Sequence, residues 1–401
     1  MRTRQLFLLS AAFGLCAAPA SAQIPNCVDL PNVTIGAGGS ASVPLLARVG
    51  AALAATNPAA PPVTVVYQSP GACFGITSIL DAAGITGTAS YWDETGAQRD
   101  CALPATGFIP NFAMLGTDAR LCEGVDALPS TIGDFPGPVT SWSLIVPQAS
   151  SQQSISAQAG YFIYGFGPVE GGVSPWTDPA HLWGRNATSA ALIVIALGSR
   201  VPPERMASWF PGDRDVRTNG RMVERVVESG AVAPEAALGF VSTEVADRNR
   251  ATVRTLAYQA WDQTCAYWPD STATAFDKRN VRDGHYYLWT PYHFYVPVDG
   301  SRAITHAATR QLVGYFTGTV DAPAGVSIND IIIENGNIPE CAMQVWRDED
   351  IGPLYSYLPE APCGCYYDFA ATGASDCTAC LGPSDCPTSA PVCRFGFCEV
   401  Q

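Results

Sequence analysis

The chain of 401 residues has a single lysine, Lys278, and four histidines, and charged residues fill only 14% of its positions. Its basic residues are outnumbered, 22 against 36 acidic ones, for a formal net charge of −14. That balance excludes a surface suited to nucleic acid or anionic lipid. It does not exclude small anions, because amides and hydroxyls inside a cleft act at short range while surface carboxylates are screened within about 10 Å. Beyond the N-terminus no apolar run reaches the roughly 18 residues of a spanning helix; the nearest approach is SAALIVIALGS from Ser189, so no membrane insertion is expected. Gly-x-Ser-x-Gly and His-Glu-x-x-His are absent, as is any clustered set of carboxylate and histidine ligands. Neither an enzyme nor a bound metal or cofactor is therefore expected.

What is present is apolar: 47% of the residues are hydrophobic, enough for a sizeable core, and the length exceeds one ordinary domain. The N-terminus carries Arg2 and Arg4, an apolar run from Leu6 to about Ala18, and Ala20-Ser21-Ala22 before Gln23. This is the pattern of a secretory signal over residues 1–22, with a mature chain beginning at Gln23. A lipoprotein reading on Cys16 is disfavoured by Leu15 just before it, where a small residue belongs.

Fourteen cysteines, thirteen of them after the signal, imply an oxidising compartment, about six disulfides and one unpaired thiol. Seven crowd into the segment from Cys363 to Cys398, which is rich in Gly, Ser and Pro and too poor in apolar residues for a core of its own. Residues 356–401 read as a small stapled module. Cys377-x-x-Cys380 resembles half a zinc site, but no matching pair with histidines accompanies it.

Four polar corners punctuate the apolar chain. In VVYQSPGACFGITSIL a β-branched run breaks at Pro70-Gly71 and resumes with helical spacing, so the first amides of a helix, near Ala72 and Cys73, are left without intrahelical partners. In VTIGAGGSASVPLLARVG a short strand leads through Gly38, Gly39, Ser40 and Ala41 into an amphipathic helix with Pro44 in its first turn. In FAMLGTDARL an apolar strand delivers Asp118 to a loop. In HLWGRNATSAALIVIALGS, Arg185 precedes an apolar helix that Ser189 can help begin. Each has a structural explanation alone, as a turn glycine, a cap or a surface arginine; together they describe an oxyanion cradle, since helix N-termini attract anions.

The set and its order resemble the phosphate-binding proteins of ABC transporters, in the type II periplasmic binding protein family. Gly36–Ser40 resembles the family's Gly-Ala-Gly turn, Tyr67-Gln68-Ser69-Pro70-Gly71 its Tyr-Gln-x-x-Gly turn, Gly116-Thr117-Asp118-Ala119 its Gly-x-Asp-Ala stretch, and Arg185 to Ala191 its Arg-x-x-x-Ser-Gly-Thr stretch. The similarity runs in order from about Val33 to Glu349. It departs from the family at Ala72, where a hydroxyl residue is usual, and at Ala190-Ala191, which replace Gly-Thr.

The resemblance implies an α/β fold of two lobes joined by two crossing strands, with the ligand in the cleft. PVTSWSLIVP (Pro138–Pro147) and HYYLWTPYHFYVPV (His285–Val298) suit the crossings, and SRAITHAATRQLVGYFTG reads as an amphipathic helix returning to lobe one. The boundaries that follow are 23–137 for the first part of lobe one, 138–284 for lobe two, and 285–355 for the return crossing and the rest of lobe one. His285 and His293 are expected to serve packing or hinge hydrogen bonds. The implied ligand groups are Gly38, Gly39, Ser40, Ala41, Gly71, Ala72, Cys73, Asp118, Arg185, Ser189, Ala190 and Ala191. Asp118 is the group implied to accept a hydrogen bond from a protonated oxyanion. The function so implied is a monomeric, periplasmic or secreted binding protein for phosphate or a related oxyanion, with an ABC permease as a possible partner. The alternative is a secreted or surface interaction protein on the same scaffold with weakened or lost anion binding.

Overall fold

The structure, a computed structural model, describes residues 24–400; the expected signal segment lies outside the described residues. The β-branched, apolar runs form strands and the Gly corners turn them into helices. In chain order these are β1 (Val33–Gly38), α1 (Val43–Thr56), β2 (Thr64–Gln68), α2 (Ala72–Leu80), β3 (Thr88–Trp92), β4 (Gln98–Ala102), β5 (Phe112–Leu115) and β6 (Ile132–Pro147). Further on come α3 (Ala190–Gly198), α4 (Asn219–Gly230), β7 (Gly239–Ser242), α5 (Thr243–Arg248), β8 (Val253–Thr255) and β9 (Trp289–Pro297). The chain then forms α6 (Ala307–Thr317), α7 (Ile328–Asn335), α8 (Gly364–Thr372) and a hairpin of β10 (Val392–Arg394) with β11 (Phe397–Glu399).

This is a mixed α/β architecture of two lobes. One nine-stranded sheet runs β4-β3-β2-β1-β5-β9-β6-β7, with β8 also paired to β6. Strands β2, β1 and β5 are parallel, as βα units require. β9 runs antiparallel between β5 and β6. β6 pairs with β9 over Ile132–Ser141, then with β7 and β8 over Trp142–Pro147, so this one strand serves both halves of the sheet.

The first crossing begins six residues earlier than the apolar pattern predicts. Pro136 and Pro138 sit inside it because no described strand pairs with the other side of residues 132–138, where a missing N–H forfeits no ladder bond. The second crossing starts later, at Trp289, because His285 bonds back to Asp283 in a turn. The returning helix starts at Ala307, with the His306 side chain capping the Thr309 amide, and ends at Gly318 in the left-handed region (φ 69°). On β9, His293 donates to Asp134 of β6 at 3.0 Å and faces Asp350 at 3.6 Å.

One apolar core lies between the sheet and α1, α6 and α7, around Leu45, Phe112, Phe294 and Leu312. A second fills the opposite side and holds α2 and α3, with Ile76, Trp142, Ile193 and Trp289. The approach of α2 to β1 is close: a Cβ at Gly75 would stand 2.6 Å from the Ala37 carbonyl oxygen, so only glycine fits. The single lysine is buried, its Nζ 2.7 Å from Asp247 and 2.8 Å from Asp270, and Arg250 bridges the same two carboxylates.

Among the described residues there are six disulfides: Cys27–Cys101, Cys73–Cys122, Cys341–Cys363, Cys365–Cys377, Cys380–Cys393 and Cys386–Cys398. Cys265 is free and exposed. Cys377 and Cys380 thus belong to two different bridges rather than to a metal pair. The C-terminal segment is stapled, and it is also docked. Tyr367 is buried in the main core, and the Arg282 guanidinium stacks on that ring, donates to the carbonyls of Ala342 and Gly364 at 3.0 and 3.1 Å, and pairs with Asp368.

Candidate functional site

A cavity of about 160 Å³ opens where the N-terminal ends of α1, α2, α3 and α4 meet. Its volume is below the range of drug-sized ligands and suits a small ion. Of the sequence-implied residues, Gly39, Ser40, Ala41, Gly71, Ala72, Arg185, Ser189, Ala190 and Ala191 line it. Gly38, Cys73 and Asp118 do not.

The reasons are specific. Gly38 spends its carbonyl on the Gly71 amide at 3.2 Å, which holds the first two Gly corners together. The Cys73 amide donates to the Thr188 carbonyl at 3.2 Å, and its side chain is bridged to Cys122. Asp118 is buried, but its carboxylate caps the turn after it, accepting the Arg120 amide at 2.8 Å, and is clasped by the Arg120 guanidinium. Burial alone would raise the Asp118 carboxyl; those bonds from Arg120 outweigh it and hold it below the usual carboxylate range. The acceptor role implied for Asp118 is thus replaced in this geometry by a capping one.

Gly39 donates to Met114, Gly71 to Gly38, Ser42 to Gly39 and Ser189 to Asn186. Ser40, Ala41, Ala72, Ala190 and Ala191 head helical turns, where no preceding carbonyl is in reach, and have no recorded acceptor among the described residues. Ser42 lines the same cavity with its Oγ buried and unpartnered.

Arg185 is 8% exposed. Its Nη2 donates to the Arg217 carbonyl at 2.8 Å and its Nη1 to the Asn219 side-chain oxygen at 3.3 Å. Among the described residues no carboxylate lies within ion-pair distance of it; the nearby Asp215 pairs with Arg217 instead, at 3.0 Å. Burial pulls the guanidinium down to about 10, with the charge of Asp215 acting against that, so it remains a cation at neutral pH. No aspartate or glutamate is among the lining residues. A cation buried without a counter-ion is expensive, and an anion bound beside it relieves that cost. The cradle offers amides, hydroxyls and a guanidinium, with apolar walls at Ala72, Trp142, Ala190 and Ala191.

The sequence reading missed Ser42, Arg217, Thr218 and Asn219. The last two open α4, with the Thr218 hydroxyl accepting the Arg221 amide, so the Arg-Thr-Asn-Gly stretch before an amphipathic run was the available signal. No local pattern says that this cap faces the other three.

No protein-family model matches the chain, and no curated protein does. Similar solved structures include a putative phosphate ABC transporter substrate-binding protein with bound phosphate from Clostridium perfringens, at 12% identity and TM-score 0.49, spanning 77% of this chain and 99% of that one. An ABC-type phosphate transport receptor from Vibrio cholerae is 14% identical at TM-score 0.46, over 76% of this chain and 99% of its own. A phosphate-binding protein from Stenotrophomonas maltophilia is 14% identical at TM-score 0.42, over 86% and 99%. Any case for a ligand of this chain rests on its own cleft.

Proposed function

We propose that this protein is an exported, non-enzymatic solute-binding protein that holds a small tetrahedral oxyanion, phosphate foremost, in the cleft for uptake or sensing. The observation that carries the reading is Arg185, a buried cation without a carboxylate partner, at the meeting point of helix N-termini with unpaired amides. Supporting it, the cavity, about 160 Å³, has room for a small ion and lies below the range of drug-sized pockets, and the six disulfides fit an oxidising compartment such as the periplasm or the exterior. No helix among the described residues is long and apolar enough to cross a membrane, so passage into a cell requires a partner such as an ABC permease.

Calorimetric titration of the purified protein with phosphate and sulfate, repeated on Arg185→Ala, tests the reading. Saturable binding that the substitution weakens about a hundredfold supports it; no binding of either anion refutes it. A second reading draws on Ala72 and Ala191, which line the cavity where hydroxyl residues are usual in the resembled family. On that reading the scaffold serves surface interaction and the cleft is vestigial.

A further inference from the structure

Arg185 is the first member of a buried chain that leads away from the cleft. Its Nη1 donates to the Asn219 oxygen at 3.3 Å, the Asn219 Nδ2 donates to the Ser242 Oγ at 3.0 Å, and the Ser242 hydroxyl donates to Glu244 Oε1. Asn219, Ser242 and Glu244 are 6%, 0% and 1% exposed. All three bonds run in one direction, each donor pointing toward Glu244, and the other carboxyl oxygen, Oε2, is buried with no partner. Glu244 also lines a second cavity, of about 260 Å³, that shares no lining residue with the cleft.

We propose that this chain couples the cleft to protonation of Glu244: Asn219 positions Arg185, and a bound oxyanion and a proton on Glu244 favour each other. The inference rests on the oxyanion reading above and extends it to regulation of the same site. The physical case is electrostatic. An ionised Glu244 favours the cation at the other end of the chain and opposes an anion beside it. A bound anion therefore raises the affinity of Glu244 for a proton, and by reciprocity a proton on Glu244 raises the affinity for the anion. Glu244 is placed to titrate where this matters, since burial lifts its carboxyl to about 7 against the opposing effects of the Ser242 bond and Arg248. The charged and titratable groups facing it are Arg248 and Asp247 on its own helix, Tyr292 on β9, and Arg48, Lys278 and Glu334 around the second cavity. No carboxylate is recorded within hydrogen-bond distance of Glu244 among the described residues to share its proton.

The test is calorimetric titration with inorganic phosphate and with sulfate between pH 5.5 and 8.5, on the unmodified protein, Glu244→Gln and Asn219→Ala. Sulfate keeps its charge over this range, and phosphate's own protonation is common to all three proteins, so the ratio of affinities between unmodified protein and Glu244→Gln isolates Glu244. The unmodified protein is expected to bind about fivefold or more tightly at pH 5.5 than at 8.5 relative to Glu244→Gln. Glu244→Gln should behave at every pH like the protonated form, and Asn219→Ala should bind about tenfold more weakly throughout, because Arg185 loses its anchor. Parallel pH profiles for the unmodified protein and Glu244→Gln overturn the coupling while leaving the oxyanion site standing. No binding of either anion at any pH overturns the site and the coupling together.

Discussion

The amide of Cys73, the second residue of α2, donates to the carbonyl of Thr188, just before α3, at 3.2 Å. The two residues lie on opposite sides of the first crossing strand in the sequence, so this bond ties the two walls of the cleft beside the cavity. It spends one helix N-terminal donor on the protein and leaves Ala72 next to it free. Cys73 is itself fixed within its own lobe by the bridge to Cys122, 49 positions on, which by loop entropy contributes about 4 kcal/mol.

Arg185→Ala should weaken oxyanion binding by about 2 to 3 kcal/mol, roughly a hundredfold, because charge-assisted hydrogen bonds carry that much each. The same substitution should leave the melting temperature unchanged or higher, since it removes a buried cation that no carboxylate neutralises. Calorimetry and thermal melting on the same sample read both; unchanged affinity would place the anion elsewhere.

Phosphate and sulfate should bind within about tenfold of each other at pH 8. Discrimination between them requires an acceptor for the phosphate proton, and the carboxylate best suited, Asp118, is held by Arg120 outside the lining. Asp118→Asn should leave the ratio of affinities unchanged. A preference for phosphate above about a hundredfold that falls in Asp118→Asn would show that Asp118 leaves Arg120 for the ligand.

His293 makes stability depend on pH on the alkaline side. Burial alone would lower its pKa, but the hydrogen bond to Asp134 and the negative charges of Asp134 and Asp350 raise it to about 10 from an ordinary 6.5. The folded value lies above the unfolded one, so this stabilisation is complete below about pH 6.5 and is lost as pH rises toward 10. Melting temperature should decline over that window, and His293→Gln should be less stable at pH 7 with a shallower decline. Equal slopes in both proteins would remove His293 from the account.

Native protein should expose one titratable thiol, Cys265, and none of the twelve bridged cysteines. Mild reduction should then label Cys365, Cys377, Cys386 and Cys393, which are partly exposed, before Cys27, Cys101 and Cys73, which lie at 0%, 0% and 5% exposure in the main body. Proteolysis should follow the same order, cutting beyond about residue 372, because α8 up to Tyr367 is fastened by Arg282 while the loops after it depend on their bridges. Mass spectrometry of labelled peptides reads the order, and early labelling of Cys27 or Cys101 would contradict it.

Local chemistry determined much of this protein from sequence alone. The Gly corners at 36–40 and 71, the apolar helix from 190 and the β-branched runs are set by backbone sterics and by which amides a helix start leaves unpaired, and both are properties of a few adjacent residues; the Ser189 side chain, expected to help begin that helix, makes no capping bond. The thirteen cysteines after the expected signal likewise implied one free thiol, though not that it is Cys265. Which acceptor each orphan amide finds, and which cation each carboxylate meets, was decided only by the tertiary structure. Thr188 reached the Cys73 amide from 115 positions away, Asp350 took the Asp118 amide, and Asn219, Ser242 and Glu244 lined up behind Arg185. Arg120 lay within two residues of Asp118, yet only the fold buries that carboxylate, while the Arg120 side chain stays half exposed.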